Sequence, residues 1–158
     1  MNINLTQKER NLLEDQKSHE QLCIDKYTDY TNQATDPQLK QIFTSNLNQE
    51  KEHLNSINQL LSGQIPNMNS QGTNQQAAQA MPANTANAGA GLNVVADSKL
   101  CEDILMTEKY VSSTYDTTIF EFRDTNARDL LNHIQKEEQK HGEAVYKYME
   151  SKGMYNPK

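Results

Sequence analysis

Shifted against itself by 88 residues, the second part of this 158-residue chain falls on the first without a gap. Leu12 meets Leu100, Glu14 meets Glu102, Asp15 meets Asp103 and Glu20 meets Glu108. Tyr27 then meets Tyr115, Asp36 meets Asp124, Glu50 meets Glu138 and His53 meets His141. Eight identities over fifty positions, against roughly three from composition, is modest, so which residues coincide matters more than how many. Both copies contain Glu-x-x-His (Glu50–His53 and Glu138–His141), and both carry another Glu thirty residues upstream. The fold must therefore be two similar halves that each supply the same chemistry.

Inside each copy the apolar spacing is helical. Leu39, Ile42, Phe43, Leu47, Leu54, Ile57, Leu60 and Leu61 recur at intervals of three and four, as do Leu130, Leu131, Ile134, Val145, Tyr148 and Met149. Thr6 with Glu9 three residues on forms a capping-box pattern. Asp36-Pro37 starts a helix, Asp as cap and Pro at the first position, and ends whatever helix precedes it. Asp124-Thr125-Asn126 breaks the second copy in the same way. The pattern predicts helix A over about 6–34, B over 37–61, C over 97–122 and D over 126–151, with no convincing strand. Leu92–Val95 is too short to weigh as one.

Between the copies, residues 62–96 hold no charge and no aromatic, and carry four of the six Gly. Such a segment cannot bury enough apolar area to offset its ordering entropy, and it reads as a flexible crossover. A competing reading is an Ala-rich helix near Gln75–Ala80, kept short by Gly72 and Pro82. The layout is a first hairpin (1–61), a crossover (62–96) and a second hairpin (97–158), together one domain.

Composition excludes several classes. The chain is only 35% hydrophobic and its mean hydropathy is −0.90, with 17 Asn and 15 Gln supplying much of the polarity. No apolar run reaches the roughly 18–20 residues of a membrane span. The first ten residues lack the apolar core of a signal peptide, so the chain is expected to be made and kept inside a cell. Two Cys cannot build a disulfide framework or a Cys-rich metal site. A pI near 5.2 without any Lys/Arg block argues against nucleic acid as a partner.

On a helix, positions i and i+3 share a face, so each Glu-x-x-His can hold one metal ion. Residues facing each other across a hairpin lie equally far from its turn. Glu20 and Glu50 are centred on Thr35, and Glu108 and Glu138 on Arg123, the two breaks already found. Packing the hairpins together brings four Glu and two His into one core. That is the carboxylate-bridged two-metal arrangement of a ferritin-like four-helix bundle. The expected ligands are Glu20, Glu50, His53, Glu108, Glu138 and His141, with Glu50 and Glu138 bridging and Glu20 and Glu108 terminal. Two divalent ions, iron or manganese with zinc as the alternative, suit this donor set. A lone Glu-x-x-His is ordinarily a solvated face; two in register, each with its upstream Glu among apolar residues, are not. Unpaired carboxylates beside Leu13, Cys23, Ile24 and Tyr27, or beside Cys101, Leu105, Val111 and Tyr115, would be costly. Metal or protons must compensate.

A pseudo-twofold relating the hairpins makes helix C antiparallel to A and sends B alongside C in the same direction. The crossover must then travel the bundle length, about 40 Å, which 35 residues can do with slack.

Tyr27 and Tyr115 lie two turns past Glu20 and Glu108 and read either as core filling or as outer hydrogen-bond donors to the ligands. Cys23 and Cys101 read as buried small apolar residues rather than a redox pair. Gly142, beside His141, suggests close helix approach. His19 and His133 have no partner at metal spacing and are expected to be exposed. Lys136–Lys140 reads as a solvated face around one inward Glu.

With these residues identified, the chain resembles the spore coat protein F (Coat F) family of endospore-forming bacteria. The resemblance is carried by Asp103–Tyr110 (DILMTEKY), Ile134–Gly142 (IQKEEQKHG), Tyr148–Pro157 (YMESKGMYNP) and Ala34–Gln41 (ATDPQLKQ). It implies a ferritin-like bundle, a role in the protein coat of spores with other coat proteins as partners, and no established catalytic activity. It also implies synthesis in the mother-cell cytoplasm followed by assembly into the coat. More distantly, the ligand pattern is similar to rubrerythrins and bacterioferritins, and carries over onto the same six positions. No Cys-x-x-Cys pair supplies an electron-transfer domain, and the long crossover does not suit a storage cage. The expectation is a coat-associated protein with a two-metal core. The alternative is a di-iron or di-manganese oxidase, peroxidase or catalase-like enzyme acting on O2 or peroxide. A homodimer is the base-rate expectation for a small bundle.

Overall fold

In the computed structural model, residues 1–67 and 93–157 are described. They form four helices: α1 (Gln7–Gln33), α2 (Pro37–Leu61), α3 (Val94–Glu121) and α4 (Thr125–Ser151). The described residues form no strand beyond one isolated bridge, Asn2 to Gln64. The architecture is the all-α four-helix bundle of paired hairpins that the repeat predicts. The flexible crossover, with its Ala-rich alternative, falls mostly on residues 68–92, outside the described residues.

The helix ends follow from the capping residues. Thr6 accepts from Glu9 N at 3.1 Å while Glu9 Oε2 accepts from Thr6 N at 2.7 Å, closing the capping box. Asp36 and Asp124 cap α2 and α4 by accepting from Gln38 N and Ala127 N. α3 begins three residues earlier than the apolar spacing suggests. Asn93 accepts from Ala96 N at 3.1 Å, and that cap outweighs the modest helix propensity of Val94 and Val95. The start of the expected crossover is also structured. Ile3 N donates to Gly63 O and Ile65 N to Met1 O, both at 2.8 Å, which buries Ile65. Gly63 is required there: its φ is +84°, and a Cβ would stand 3.1 Å from Ile3 O.

α1 packs on α2 and α3, and α4 packs on α3 and α2. Along α1 and into the turn after it, Gln16, Tyr27 and Thr35 bond to Thr118, Glu108 and Asp97 in turn, so α3 runs antiparallel to α1. α2 shares the direction of α3 but lies diagonally across the bundle from it, rather than alongside as the repeat suggests. The end of α2 is tied to the chain's first residues, whereas Asn93 N donates to Thr35 Oγ1 at the opposite end. The described residues that flank the crossover therefore lie at opposite ends of the bundle.

The repeat also closes both ends. Asp97, in the first turn of α3, accepts from Thr35 N, Thr35 Oγ1 and Asp36 N of the α1–α2 turn at 2.8–3.0 Å. Glu9, its counterpart 88 residues earlier, accepts from Arg123 N at 3.0 Å and Arg123 Nε at 3.2 Å in the α3–α4 turn. Each hairpin thus caps the other's turn. Leu13, Leu39, Phe43, Ile57, Leu60, Ile104, Leu130, Leu131, Ile134 and Val145 fill the layers between, fully buried or nearly so. Each contributes about 1.5–3 kcal/mol by leaving water. No helix among the described residues is long and apolar enough to cross a membrane.

Candidate metal centre

Glu20 and Glu138 are the central residues of α1 and α4, and Glu50 and Glu108 lie within one residue of the centres of α2 and α3. The apolar stripe of each helix faces the bundle axis, so the carboxylates on those stripes meet in its middle layer. All four are buried, as are His53 and His141.

Their donor atoms form two quartets. Glu20, Glu50, His53 and Glu138 make one, and Glu50, Glu108, Glu138 and His141 the other, with the atoms of each quartet within 4.8 Å of one another. Metal–ligand bonds of about 2.0–2.2 Å put opposed donors about 4 Å apart, so modest tightening around an ion suffices. Glu50 and Glu138 belong to both quartets, the placement of bridging ligands; each of the other four belongs to one. His53 Nδ1 lies 2.9 Å from Glu138 and 3.5 Å from both Glu20 and Glu50. His141 Nδ1 lies 3.0 Å from Glu50, 3.4 Å from Glu138 and 3.7 Å from Glu108. Nδ1 is therefore the inward nitrogen of both rings, which stack with centroids 5.6 Å apart.

The centre leaves polar atoms without donors. Oε2 of Glu20, Glu50 and Glu108, both carboxylate oxygens of Glu138 and Nδ1 of His53 are buried without a hydrogen bond. His53 Nδ1 and Glu138 Oε1 approach to 2.9 Å yet form none. Buried polar groups are almost always satisfied, so this concentration of orphans among carboxylate and imidazole donors fits a cation-binding role. The donor set fits two divalent ions of borderline hardness.

The electrostatics agree. Burial, with the Glu138 charge adding to it, pushes Glu20 and Glu108 well above the usual carboxylate range. At Glu138 burial acts in the same sense, but the two histidines outweigh it and hold the carboxyl well below that range. Burial works against protonation of His53 and His141, yet the surrounding carboxylates raise both well above the usual imidazole value. In the absence of a metal, protons must take its place.

Tyr27 and Tyr115 do both things the sequence allows them. Each is fully buried, and each donates its hydroxyl to a carboxylate of the opposite hairpin, Tyr27 to Glu108 and Tyr115 to Glu20. Asn46 Nδ2 donates to the Tyr27 hydroxyl at 3.0 Å. Under the repeat Asn46 corresponds to Ile134, which has no side-chain donor.

Glu137 is the residue that the sequence reading misses. The run 136–140 turns two carboxylates inward, not one: Glu137 is as buried as its neighbours. Its Oε2 lies 2.9 Å from His53 Nε2 and accepts from Gln49 Nε2 at 2.8 Å. A carboxylate on the outer nitrogen fixes the ring and its tautomer, as is common behind metal-binding histidines. The signal was present: 130, 134, 137, 141, 145 and 148 are successive inward positions of α4. His133 is half-buried and pairs with Glu137 Oε1 at 3.2 Å, and half-buried His19 contacts Thr114 and the edge of Tyr110. Neither is simply exposed, because their neighbours offer polar partners at the surface.

Gly142 is not forced by close packing, since a Cβ there would meet only Leu105 Cδ2 at 4.0 Å. Cys23 and Cys101 are buried, free thiols. Burial pushes both up, Cys101 to about 12, so neither is an activated thiolate.

No curated protein and no solved structure matches the chain. A family does: residues 96–158, which hold nearly all of α3, the whole of α4 and the candidate ligands Glu108, Glu138 and His141, match the Coat F domain.

Proposed function

We propose that this protein is a spore-coat component built as a ferritin-like bundle, whose middle layer holds two divalent metal ions. Iron or manganese suits the donors best, with zinc as the alternative. The observation that supports this reading is the set of buried, unsatisfied donor atoms on six ligands arranged as two quartets sharing Glu50 and Glu138. The spore setting rests on the Coat F match over the second hairpin. With it go other coat proteins as partners and synthesis in the mother cell before incorporation. When bound, the ions neutralise the four carboxylates and supply Lewis acidity and, for iron or manganese, electron-transfer capacity. The chain's own residues hold the donors in place from behind: Tyr27 and Tyr115 orient the terminal carboxylates, and Glu137 orients His53.

Elemental analysis after chelator-free purification and reconstitution with Fe(II) or Mn(II) tests the centre. Two ions per chain are expected, and fewer than about one overturns the reading. Glu50→Ala and Glu138→Ala remove a shared ligand and should each lose both ions. Peroxide consumption by the loaded protein, abolished by the same substitutions, would move the reading to an oxidant-handling enzyme. Recovery of the protein in the coat fraction of purified spores tests the setting.

A further inference from the structure

The metal centre lies about 20 Å from either end of the bundle, at the mid-point of helices rising 1.5 Å per residue. The Glu9–Arg123 and Asp97–Thr35 bonds tie the turns at the two ends together. The shorter approach for an ion is from the side. A cleft of about 630 Å³ opens between α3 and α4, with Leu105, Ser112, Gln135 and Gly142 on its walls. Glu108 and Glu138 also line it, and both are almost wholly withdrawn from solvent, so they form its floor. Glu108 Oε2 and both Glu138 oxygens have no hydrogen-bond partner.

The residues that open this cleft are not shared by the first hairpin. Where the cleft has Ser112, Gln135 and Gly142, the first hairpin has Ile24, Leu47 and Leu54. Those three branched side chains are half-buried along α1 and α2. The cleft thus corresponds to a groove that the first hairpin fills with hydrocarbon. The residues that open it are small or polar, and Gly142 has room for a larger side chain. Behind the other quartet, Glu137 and Gln49 cover His53.

We propose that the α3–α4 cleft is the lateral entrance by which a hydrated divalent cation reaches the Glu108–His141 half of the centre. The inference rests on the reading of that centre as a metal site. The charge of the cleft suits a cation: Asp116 and Glu143 join the two floor carboxylates, against Lys109. Even with Glu143 paired to Lys147, acidic groups outnumber basic ones along the path. Polar walls let the ion keep part of its water shell until the carboxylates replace it.

The test is the rate and extent of Co(II) uptake by the metal-free protein, followed by visible absorption and elemental analysis. Gly142→Leu gives the second hairpin the side chain that the first carries, and Ser112→Phe blocks the facing wall should the first variant fold poorly. Uptake should slow at least ten-fold in either variant, with the final number of ions per chain unchanged. Wild-type uptake of two ions with unchanged rates in both folded variants overturns the entrance and leaves the metal centre standing. A fall in final stoichiometry at unchanged rate also overturns it, because the cleft would then be part of the site rather than its approach. Failure of the wild-type chain to take up any ion overturns both readings.

Discussion

Tyr27 on α1 donates its hydroxyl hydrogen to Glu108 on α3, 81 residues further along the chain. The bond from Tyr115 to Glu20 is its counterpart under the 88-residue repeat. Each hairpin therefore positions a buried carboxylate of the other. One oxygen of each carboxylate is occupied by a phenol, and the other, Oε2, stays without a donor. Burial, with the nearby carboxylates adding to it, raises both phenols well above their ordinary value, so they remain neutral donors.

Removing either hydroxyl should loosen the proposed metal site more than the fold. Tyr27→Phe and Tyr115→Phe are each expected to weaken Mn(II) binding about 10–100-fold, the usual cost of losing an outer partner. Tyr27→Phe also strands Asn46 Nδ2 and should lower metal-free stability by about 1–3 kcal/mol. At Tyr115, with Ile134 corresponding to Asn46 under the repeat, the loss should be smaller. Calorimetric titration and urea denaturation check both points. Unchanged affinity in both variants would leave the phenols as core filler.

Acid should weaken the bundle through Glu9. Burial works to raise its pKa, but the bonds from Arg123 and Thr6 more than offset it and hold the carboxyl at about 2, against an ordinary value of about 4.5. A depressed pKa means that stability is fully present above about pH 4.5 and is lost as pH falls through about 2. The contribution at pH 7 is at most about 3 kcal/mol. Urea denaturation of the wild type and Glu9→Gln should differ by up to that amount at pH 7. At pH 3 the gap should shrink by more than half, and a gap independent of pH refutes the assignment.

Phe43 separates packing from chemistry. It is fully buried and meets the Tyr27 ring edge-on at 5.7 Å, but offers no ligand atom. Phe43→Ala should cost about 3–5 kcal/mol through lost burial and the cavity left behind. Because none of the six donors moves from its helix, the folded variant should still take up two ions. Elemental analysis showing loss of both would place Phe43 among the residues that hold the site.

Sequence reading succeeds here where identity and spacing carry the constraint. Asp36-Pro37 and Asp124 set the hairpin turns because capping is local, and the 88-residue shift finds both Glu-x-x-His motifs because they repeat residue for residue. It fails where the partner is distant and of a different type. Glu137 matches Gln49 under the shift, not another Glu, and its partner His53 lies on the other hairpin. Glu9 and Asp97 are equivalent in role but not identical, so their closure of opposite turns is visible only in three dimensions. The N-terminal pairing of Ile3 with Gly63 is a backbone contact, to which side-chain patterning is blind.

Glu137 makes the two quartets unequal, and that inequality can be measured. Its carboxylate faces His53 Nε2 at 2.9 Å and His133 Nε2 at 3.2 Å, while the repeat puts a neutral Gln49 in the corresponding place on α2. A carboxylate behind an imidazole orients it and raises its basicity toward a metal. Glu137→Ala should therefore weaken the ion at Glu20–His53 by about 10–100-fold and leave the one at Glu108–His141 close to its original affinity. Glu137→Gln, which retains an acceptor oxygen, should fall between the two. A calorimetric Mn(II) titration of Glu137→Ala should then resolve into two steps of one ion each, with only the weaker step displaced from the wild-type value. Equal weakening of both ions would mean that Glu137 supports the centre as a whole, through the packing of α4 against α2, rather than through the imidazole it touches.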